Sequence, residues 1–255
     1  MTEPVSSDAN AVMGIDIGGT GIKGAPVDVR SGKLMAERFR ILTPKPATPE
    51  AVANVVGDVV DHFRWNGPVG ATFPAVVKDG ITLTAANVDK EWIGTDADKV
   101  LTDRLGMPVL MLNDADAAGF AEVRFGAGKG RKGVVVMITL GTGIGCGMFQ
   151  NGTLIPNTEF GHIEIDGKDA EKLAADSVRE RKGLTWKDYA ARVEKYIRTL
   201  DALIWPDLVI LGGGASKKAD KLLPRLDVRP EVVAATLLND AGIVGAAVMA
   251  AEGRP

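Results

Sequence analysis

Two glycine turns and two short acidic motifs hold most of the chemistry this chain can offer. Asp16 lies near the end of an apolar run, residues 12–17, and Gly18-Gly19-Thr20-Gly21 follows it. Backbone N–H groups bunched in such a turn can face phosphate oxygens. A carboxylate beside them needs a cation in between, which suggests Mg²⁺ held by Asp16 through water. Lys23 adds a positive charge just beyond the turn. Gly141-Thr142-Gly143 repeats the arrangement after the β-branched run 134–140. A structural hairpin with glycines at positive φ explains either turn alone and explains the pair less well. Residues 19–24 also satisfy G-x-G-x-x-G, but that fingerprint must open a helix. Pro26 and the alternation of Ala25, Val27 and Val29 continue an extended hairpin instead.

Asn113-Asp114-Ala115-Asp116 falls where an apolar strand passes into a helix. Asp114 is there a candidate general base for an attacking hydroxyl, and Asn113 a partner for neighbouring hydroxyls. The competing account is local: Asn caps helices and acids in the first turn complement the dipole, which is the preferred account of Asp116. Glu159-Phe160-Gly161-His162 sets a carboxylate and an imidazole three apart, on one side if the turn is helical. That pair suits vicinal sugar hydroxyls. A metal site is the rival, with only His62 and scattered carboxylates to complete it, and a satisfied structural histidine is the third alternative. Gly212-Gly213-Gly214 breaks a further buried strand. Cations gather in two segments: Lys129, Arg131 and Lys132 in the loop 126–133, and Lys217, Lys218, Lys221 and Arg225 after Gly214. Such runs are usually solvated faces, and a polyanion that releases counterions on binding is the functional alternative.

These residues have to be positioned by an α/β framework. Strands are expected at residues 12–17 and 24–29, with a meander through 33–41. Thr48 caps a helix that starts at Pro49 and runs to about Phe63. A strand at 69–73, a helix at 96–105, a strand at 109–112 and a helix opening at Asn113-Asp114 follow. The loop 126–133 reads as a boundary. The pattern then restarts with a strand at 134–140, a turn at 141–147 and a strand from Met148. Helices at 171–181 and 186–204, a strand at 208–211 and a helix at 240–252 complete it. Gly-Thr-Gly-Ile occurs at 19–22 and again at 141–144, each time between apolar strands, which points to a duplicated domain and two related lobes.

Composition excludes several classes. The 255 residues are 45% hydrophobic and 25% charged, and 30 basic against 33 acidic residues leave a net charge of −3, against a dedicated nucleic-acid binder. One cysteine, Cys146, and two histidines cannot build a zinc finger or a disulfide framework, so the compartment reads as cytoplasmic. No basic residue precedes Lys23 and no apolar run is long enough to span a bilayer. Walker-type, H-E-x-x-H and G-x-S-x-G motifs are absent.

Read together, residues 16–21, 113–115, 140–145, 159–162 and 211–216 resemble the motifs of the ROK (repressor, open reading frame, kinase) family of sugar kinases, in order and spacing, over about 12–251. Residues 43–49, 85–90, 157–162 and 238–245 resemble the members that use inorganic polyphosphate. So does the lack of the C-x-C-G-x-x-G-C zinc segment that most members carry. The resemblance implies a two-lobed, actin-like (ribonuclease H-like) fold: a small lobe at 1–114, a larger one at 115–239, and the helix at 240–255 packing back on the first. It implies transfer of the terminal phosphoryl group of polyphosphate, and of ATP, to the 6-hydroxyl of glucose, giving glucose 6-phosphate. In that scheme Asp114 is the catalytic base, and Asn87, Asn113, Glu159, His162 and Glu171 contact the sugar. Asp16 organises Mg²⁺, no zinc is expected, and Gly18, Gly19, Thr20, Gly21 and Lys23 with Gly141, Thr142 and Gly143 face donor phosphates. Gly212, Gly213 and Gly214 match the turn that meets a nucleoside in ATP-using members. Lys129, Arg131, Lys132, Lys217 and Lys218 form a candidate polyphosphate patch. A cytoplasmic homodimer without nucleic-acid or membrane partners is implied as well. The alternatives are a strictly ATP-dependent glucokinase, another hexose kinase, or a non-catalytic sugar sensor. The family's repressors carry a DNA-binding module before the first strand, for which residues 1–11 are too few. Cys146-Gly147-Met148 departs from the small pair expected behind the second turn.

Overall fold

Alternating strands and helices run through the chain in two rounds, seen in a computed structural model that describes residues 10–85 and 88–254. The first round comprises β1 (Ala11–Ile17), β2 (Ile22–Asp28), β3 (Lys33–Leu34), β4 (Phe39–Ile41), α1 (Pro49–His62), β5 (Val69–Phe73), β6 (Val77–Lys78), β7 (Ile81–Thr82), α2 (Ala97–Leu105), β8 (Val109–Asn113) and α3 (Asp114–Phe125). Its sheet has the order β3-β2-β1-β5-β8, with β4 also on β2. β1 and β2 are antiparallel, whereas β1, β5 and β8 run parallel. Local chemistry sets the helix ends. Thr48 Oγ1 accepts from the Ala51 N–H at 3.3 Å ahead of Pro49, and Asp96 caps α2 from outside its first turn.

The second round comprises β9 (Val134–Leu140), β10 (Ile144–Gln150), β11 (Thr153–Ile155), β12 (Glu164–Ile165), β13 (Lys168–Asp169), α4 (Ala170–Ala174), α5 (Asp176–Lys182), α6 (Trp186–Ile204), β14 (Leu208–Gly213), α7 (Ala219–Leu222), β15 (Glu231–Ala234) and α8 (Ala241–Glu252). Its sheet order, β11-β10-β9-β14-β15, repeats the first strand for strand and direction for direction. The core between this sheet and α6 includes Tyr189, Val193, Tyr196, Ile197 and Leu200, all fully buried.

Two compact units result: Met1–Ala121 with Asp240–Pro255, and Glu122–Asn239. The last helix, α8, therefore belongs to the first unit, where it packs on β1 and β5. The approach is backbone to backbone. A Cβ on Gly14 would lie 2.1 Å from the Ile243 carbonyl oxygen, and one on Gly70 1.9 Å from that of Ala246. The loop 126–133 lies inside the second unit and is not a boundary. The buried Glu122 carboxylate ties it down, accepting from the N–H groups of Ala127, Thr236 and Leu237.

Three further expectations are corrected. The turn after β9 spans only Gly141–Gly143, because Gly145 and Gly147 sit in the ladder opposite Thr139 and Met137. β14 continues through Gly212 and Gly213, which pair with Thr139 and Leu140. The helical stretch from 171 is two helices, parted at Ala175, whose ψ of 150° is extended. Among the described residues, no helix is long and apolar enough to cross a membrane.

Candidate functional site

In the first unit the candidate residues collect at the carboxyl edge of the parallel strands, where open α/β sheets usually bind ligands. Register places Asp16 opposite Lys23 on one side and Thr72 on the other. Asp16 Oδ1 accepts from Thr72 Oγ1 at 2.9 Å, and Lys23 Nζ stands 3.0 Å from Oδ2. The turn 18–21 closes through a Gly18 N–H bond to the Gly21 carbonyl at 3.1 Å. Its outer side is tied by Thr43 Oγ1 to the Gly18 carbonyl at 2.5 Å and by the Arg40 guanidinium to that of Thr20 at 2.8 Å. Arg40 lies so close that a Cβ on Gly21 would meet Nε at 2.3 Å. Positive φ plays no part in either glycine turn, so the hairpin argument from left-handed backbone is replaced by one from close approach.

Asn113 ends β8 in the row next to Asp16, two strands away, or about 10 Å at the usual strand spacing. Its amide oxygen accepts from the N–H groups of Ala115 at 2.8 Å and Asp116 at 3.1 Å, and its Nδ2 donates to the Ala75 carbonyl at 3.0 Å. Asn113 is therefore the cap of α3, with one amide proton still available to a ligand. The cap fixes Asp114 as the first helical residue, half-buried at the mouth of this edge. Asp116 is buried in the first turn.

The second unit assembles a different set. Gly141–Gly143 closes through the Gly141 N–H on the Gly143 carbonyl at 3.0 Å. As at Gly19, a Cβ on Gly141 would meet nothing within 4 Å, so both turns show bare backbone to open space. The 3₁₀ turn Phe160–His162 packs directly behind this turn, since a Cβ on Gly161 would lie 2.2 Å from the Ile144 carbonyl oxygen. His162 Nε2 stands 3.6 Å from Glu159 Oε2. The β12–β13 hairpin and α4 bring in Asp169 and Glu171, so that one ligating atom each of His162, Asp169 and Glu171 lie within 4.8 Å of one another. Glu171 also reaches the turn: a Cβ on Gly143 would meet its Oε2 at 2.5 Å. Desolvation lifts the Glu159 carboxyl above its ordinary value. The His162 neighbour opposes the shift and the Glu171 charge adds to it. Ser177, at the start of α5, donates its Oγ to the Thr142 carbonyl at 2.7 Å and its N–H to that of Gly141 at 3.0 Å.

Each predicted residue can now be located. Glu159, His162 and Glu171 come together, and Asp169 and Ser177 join them through contacts that local spacing does not show. Asp169 replaces His62 as the nearest further ligand-type group to His162; His62 stacks on Phe39 at 3.8 Å in the first unit. Gly212–Gly214 lies beside α5, with Asp176 Oδ2 2.9 Å from a Cβ on Gly214. Arg131 pairs with Glu231 at the start of β15, and Gly133 abuts Asp207 just before β14. Arg131 and Lys132 are thus at the amino edge of the sheet, a seven-residue β9 or about 20 Å from Gly141. The two basic segments do not make one patch. Asn87 lies outside the described residues. Cys146 is buried in the core of the second unit, beside Tyr196.

For Mg²⁺ the fit at Asp16 rests on donor chemistry. The residues supply one carboxylate, oriented by Thr72 and with Lys23 beside it, so water and phosphate oxygens of a donor must complete the coordination, as this ion commonly requires.

A family model described as the ROK family matches residues 12–176. A polyphosphate glucokinase of Mycobacterium tuberculosis is 55% identical over 235 residues, 92% of this chain and 89% of that one. The crystal structure of an inorganic polyphosphate/ATP-glucomannokinase from Arthrobacter sp. strain KM superposes with a TM-score of 0.91 at 53% identity, covering 95% of this chain and 98% of the other. A ROK family glucokinase from Streptomyces griseus, solved with glucose and AMPPNP, gives 0.82 at 26% identity, covering 95% and 100%. The repeated sheet is accordingly the actin-like kinase fold.

Proposed function

The chain belongs to the ROK family, and from that premise we propose that it transfers the terminal phosphoryl group of inorganic polyphosphate, and of ATP, to the 6-hydroxyl of glucose. The observation that carries this reading is the join in the second unit: a bare glycine turn suited to phosphate oxygens backs directly onto the Glu159, His162 and Glu171 cluster, which suits sugar hydroxyls. The 55% identity to a polyphosphate glucokinase supports the donor.

In the proposed reaction Asp114 accepts the proton of the 6-hydroxyl as its oxygen attacks the terminal phosphorus. The new P–O bond forms as the phosphoanhydride P–O bond breaks, and the donor leaves one phosphate shorter. Asn113 offers its remaining amide proton to a neighbouring hydroxyl. Glu159, His162 and Glu171 bind others and thereby orient the acceptor. The N–H groups not spent on closing the two turns, those of Gly19, Thr20, Gly21, Thr142 and Gly143, bind donor oxygens, and Lys23 adds charge close to them. Mg²⁺, where bound, supplies charge neutralisation of the phosphates, with Asp16 as its protein anchor. Positioning and electrostatic stabilisation do most of the work in phosphoryl transfer, so no covalent intermediate is needed.

The test omits nucleotide: purified protein, glucose, Mg²⁺ and polyphosphate, with glucose 6-phosphate measured. Product with ATP and none with polyphosphate demotes the protein to an ATP-dependent glucokinase. No product with either makes it a sugar sensor. The likeness to a glucomannokinase favours mannose as a second acceptor, read in the same assay with mannose in place of glucose.

A further inference from the structure

Around Trp186 in the second unit, two elements meet that each start beside a glycine segment and carry exposed cations. Helix α5 starts at the phosphate turn, bonded to it through Ser177, and ends in Arg181 and Lys182, about 7 Å farther along its axis. From the end of β14, just past Gly214, a 3₁₀ segment, Ala215–Lys218, carries Lys217 and Lys218, and α7 carries Lys221. The Trp186 ring joins the two. The Arg179 guanidinium lies 4.7 Å from its centroid and Lys221 Nζ 6.0 Å. Arg179 is occupied, paired with Asp176 and Glu180. Arg181, Lys182, Lys217 and Lys218 are exposed, and among the described residues no carboxylate lies within ion-pair distance of them. The other basic segment differs chiefly in place: Arg131 and Lys132 lie at the far edge of the sheet, and Arg131 is in addition neutralised by Glu231.

We propose that Arg181, Lys182, Lys217, Lys218 and Lys221 form the track along which a linear polyphosphate chain runs outward from the Gly141–Gly143 turn. Unpaired ammonium and guanidinium groups flanking a phosphate-type turn attract each successive phosphate by charge and counterion release, without sequence or shape recognition. The track rests on the reading above for the identity of the polyanion, and it adds a site for the part of the donor that does not react. It explains how one turn can take both a short and a long donor: the terminal phosphates use the turn, and only a long chain reaches the lysines.

Binding separates the track from the reaction. The dissociation constants of long-chain polyphosphate and of tripolyphosphate are measured over a range of salt concentrations for the full chain. Two variants are compared with it, R181S/K182S and K217S/K218S/K221S. Long-chain affinity is expected to fall about tenfold or more in each, with the log–log salt slope shallower by roughly 0.7 for each cation removed. Tripolyphosphate affinity should change less than about threefold, because the turn is intact. Equal losses for both lengths, or a matching loss in K129S/R131S/K132S, would overturn the assignment. So would a single-stranded oligonucleotide that competes as well as polyphosphate does. If the slopes behave as expected while polyphosphate yields no glucose 6-phosphate, the track stands and the donor reading fails.

Discussion

The two glycine hairpins share a frame and differ in what they place beside it. In the first unit the row across β2, β1 and β5 reads Lys23, Asp16, Thr72, an ion pair with a hydroxyl at its flank. The equivalent row across β10, β9 and β14 reads Gly145, Thr139, Gly212. There, among the described residues, the one side-chain bond is Thr139 Oγ1 accepting from the Gly145 N–H at 3.1 Å. One hairpin is loaded with charge and the other stripped of it. Next to this row Gly161, lacking a Cβ, approaches the Ile144 backbone and brings Glu159 and His162 in behind the turn. Duplication kept the strand order while the side chains diverged; in the proposed reaction the first copy handles the cation and the proton, and the second supplies most of the acceptor contacts.

The sharpest way to break that division is at Asp114, which has no counterpart in the second copy. Asp114→Asn should leave glucose binding within about twofold and lower kcat by roughly 10²–10⁴, the range for loss of a general base. Near-normal turnover in steady-state assays removes proton transfer from the first unit. Next comes the row itself. Asp16→Asn should lower kcat/KM by about a hundredfold, as for other lost electrostatic partners of a reacting group, and raise the Mg²⁺ concentration needed for half-activity. Thr139→Val, its positional twin, should cost at most about fivefold, the worth of one neutral hydrogen bond. Equal losses would mean that the two hairpins do the same job.

How much of this could be read beforehand depended on how local the cause is. Thr48-Pro49 announces α1 because a cap and a first-turn proline act within four residues, and the helix begins there. The recurrence of Gly-Thr-Gly-Ile shows the duplication because a hairpin is itself a local object. Residues 144–147 were expected in the turn since glycines usually mark one. They belong to β10 because their reason is packing, on Gly161 and across the ladder. Asp169 approaches His162 through a hairpin, and Arg131 meets Glu231 100 positions away. Charge counted along the chain treated Arg131 and Lys217 alike, and only folding separates a neutralised cation from a free one.

A smaller effect tests the packing side of the comparison. Gly70 on β5 and Gly212 on β14 both lie in central parallel strands, yet a Cβ meets different neighbours. At Gly70 it would strike the Ala246 carbonyl at 1.9 Å, a fixed backbone atom of α8. At Gly212 it would meet the Met137 Cε at 2.4 Å, the free end of a flexible side chain. Gly70→Ala should therefore destabilise by about 1–3 kcal/mol or more through overpacking, and Gly212→Ala by less than about 1 kcal/mol. Denaturant midpoints measure both, and a reversed order would mean that α8 does not rest flush on β1 and β5.

The smallest expected effect concerns charge within the acceptor cluster. As a carboxylate Glu159 would accept charge-assisted hydrogen bonds from sugar hydroxyls, stronger than those a neutral acid accepts, and burial raises its pKa, with the Glu171 charge adding and His162 opposing. Its charged form is therefore lost, as pH falls, at a higher pH than for an exposed glutamate. The KM for glucose should rise on the acid side from that point. Glu171→Gln removes a like charge and should move the inflection to lower pH. His162→Gln removes the opposing influence and should move it to higher pH. Both variants will weaken glucose binding in absolute terms, since both residues contact it in the proposed reaction. The direction of each inflection is therefore the informative quantity. Two shifts of the same sign would show that Glu159 does not titrate within this cluster, and acceptor recognition would then need a different anchor in the second unit.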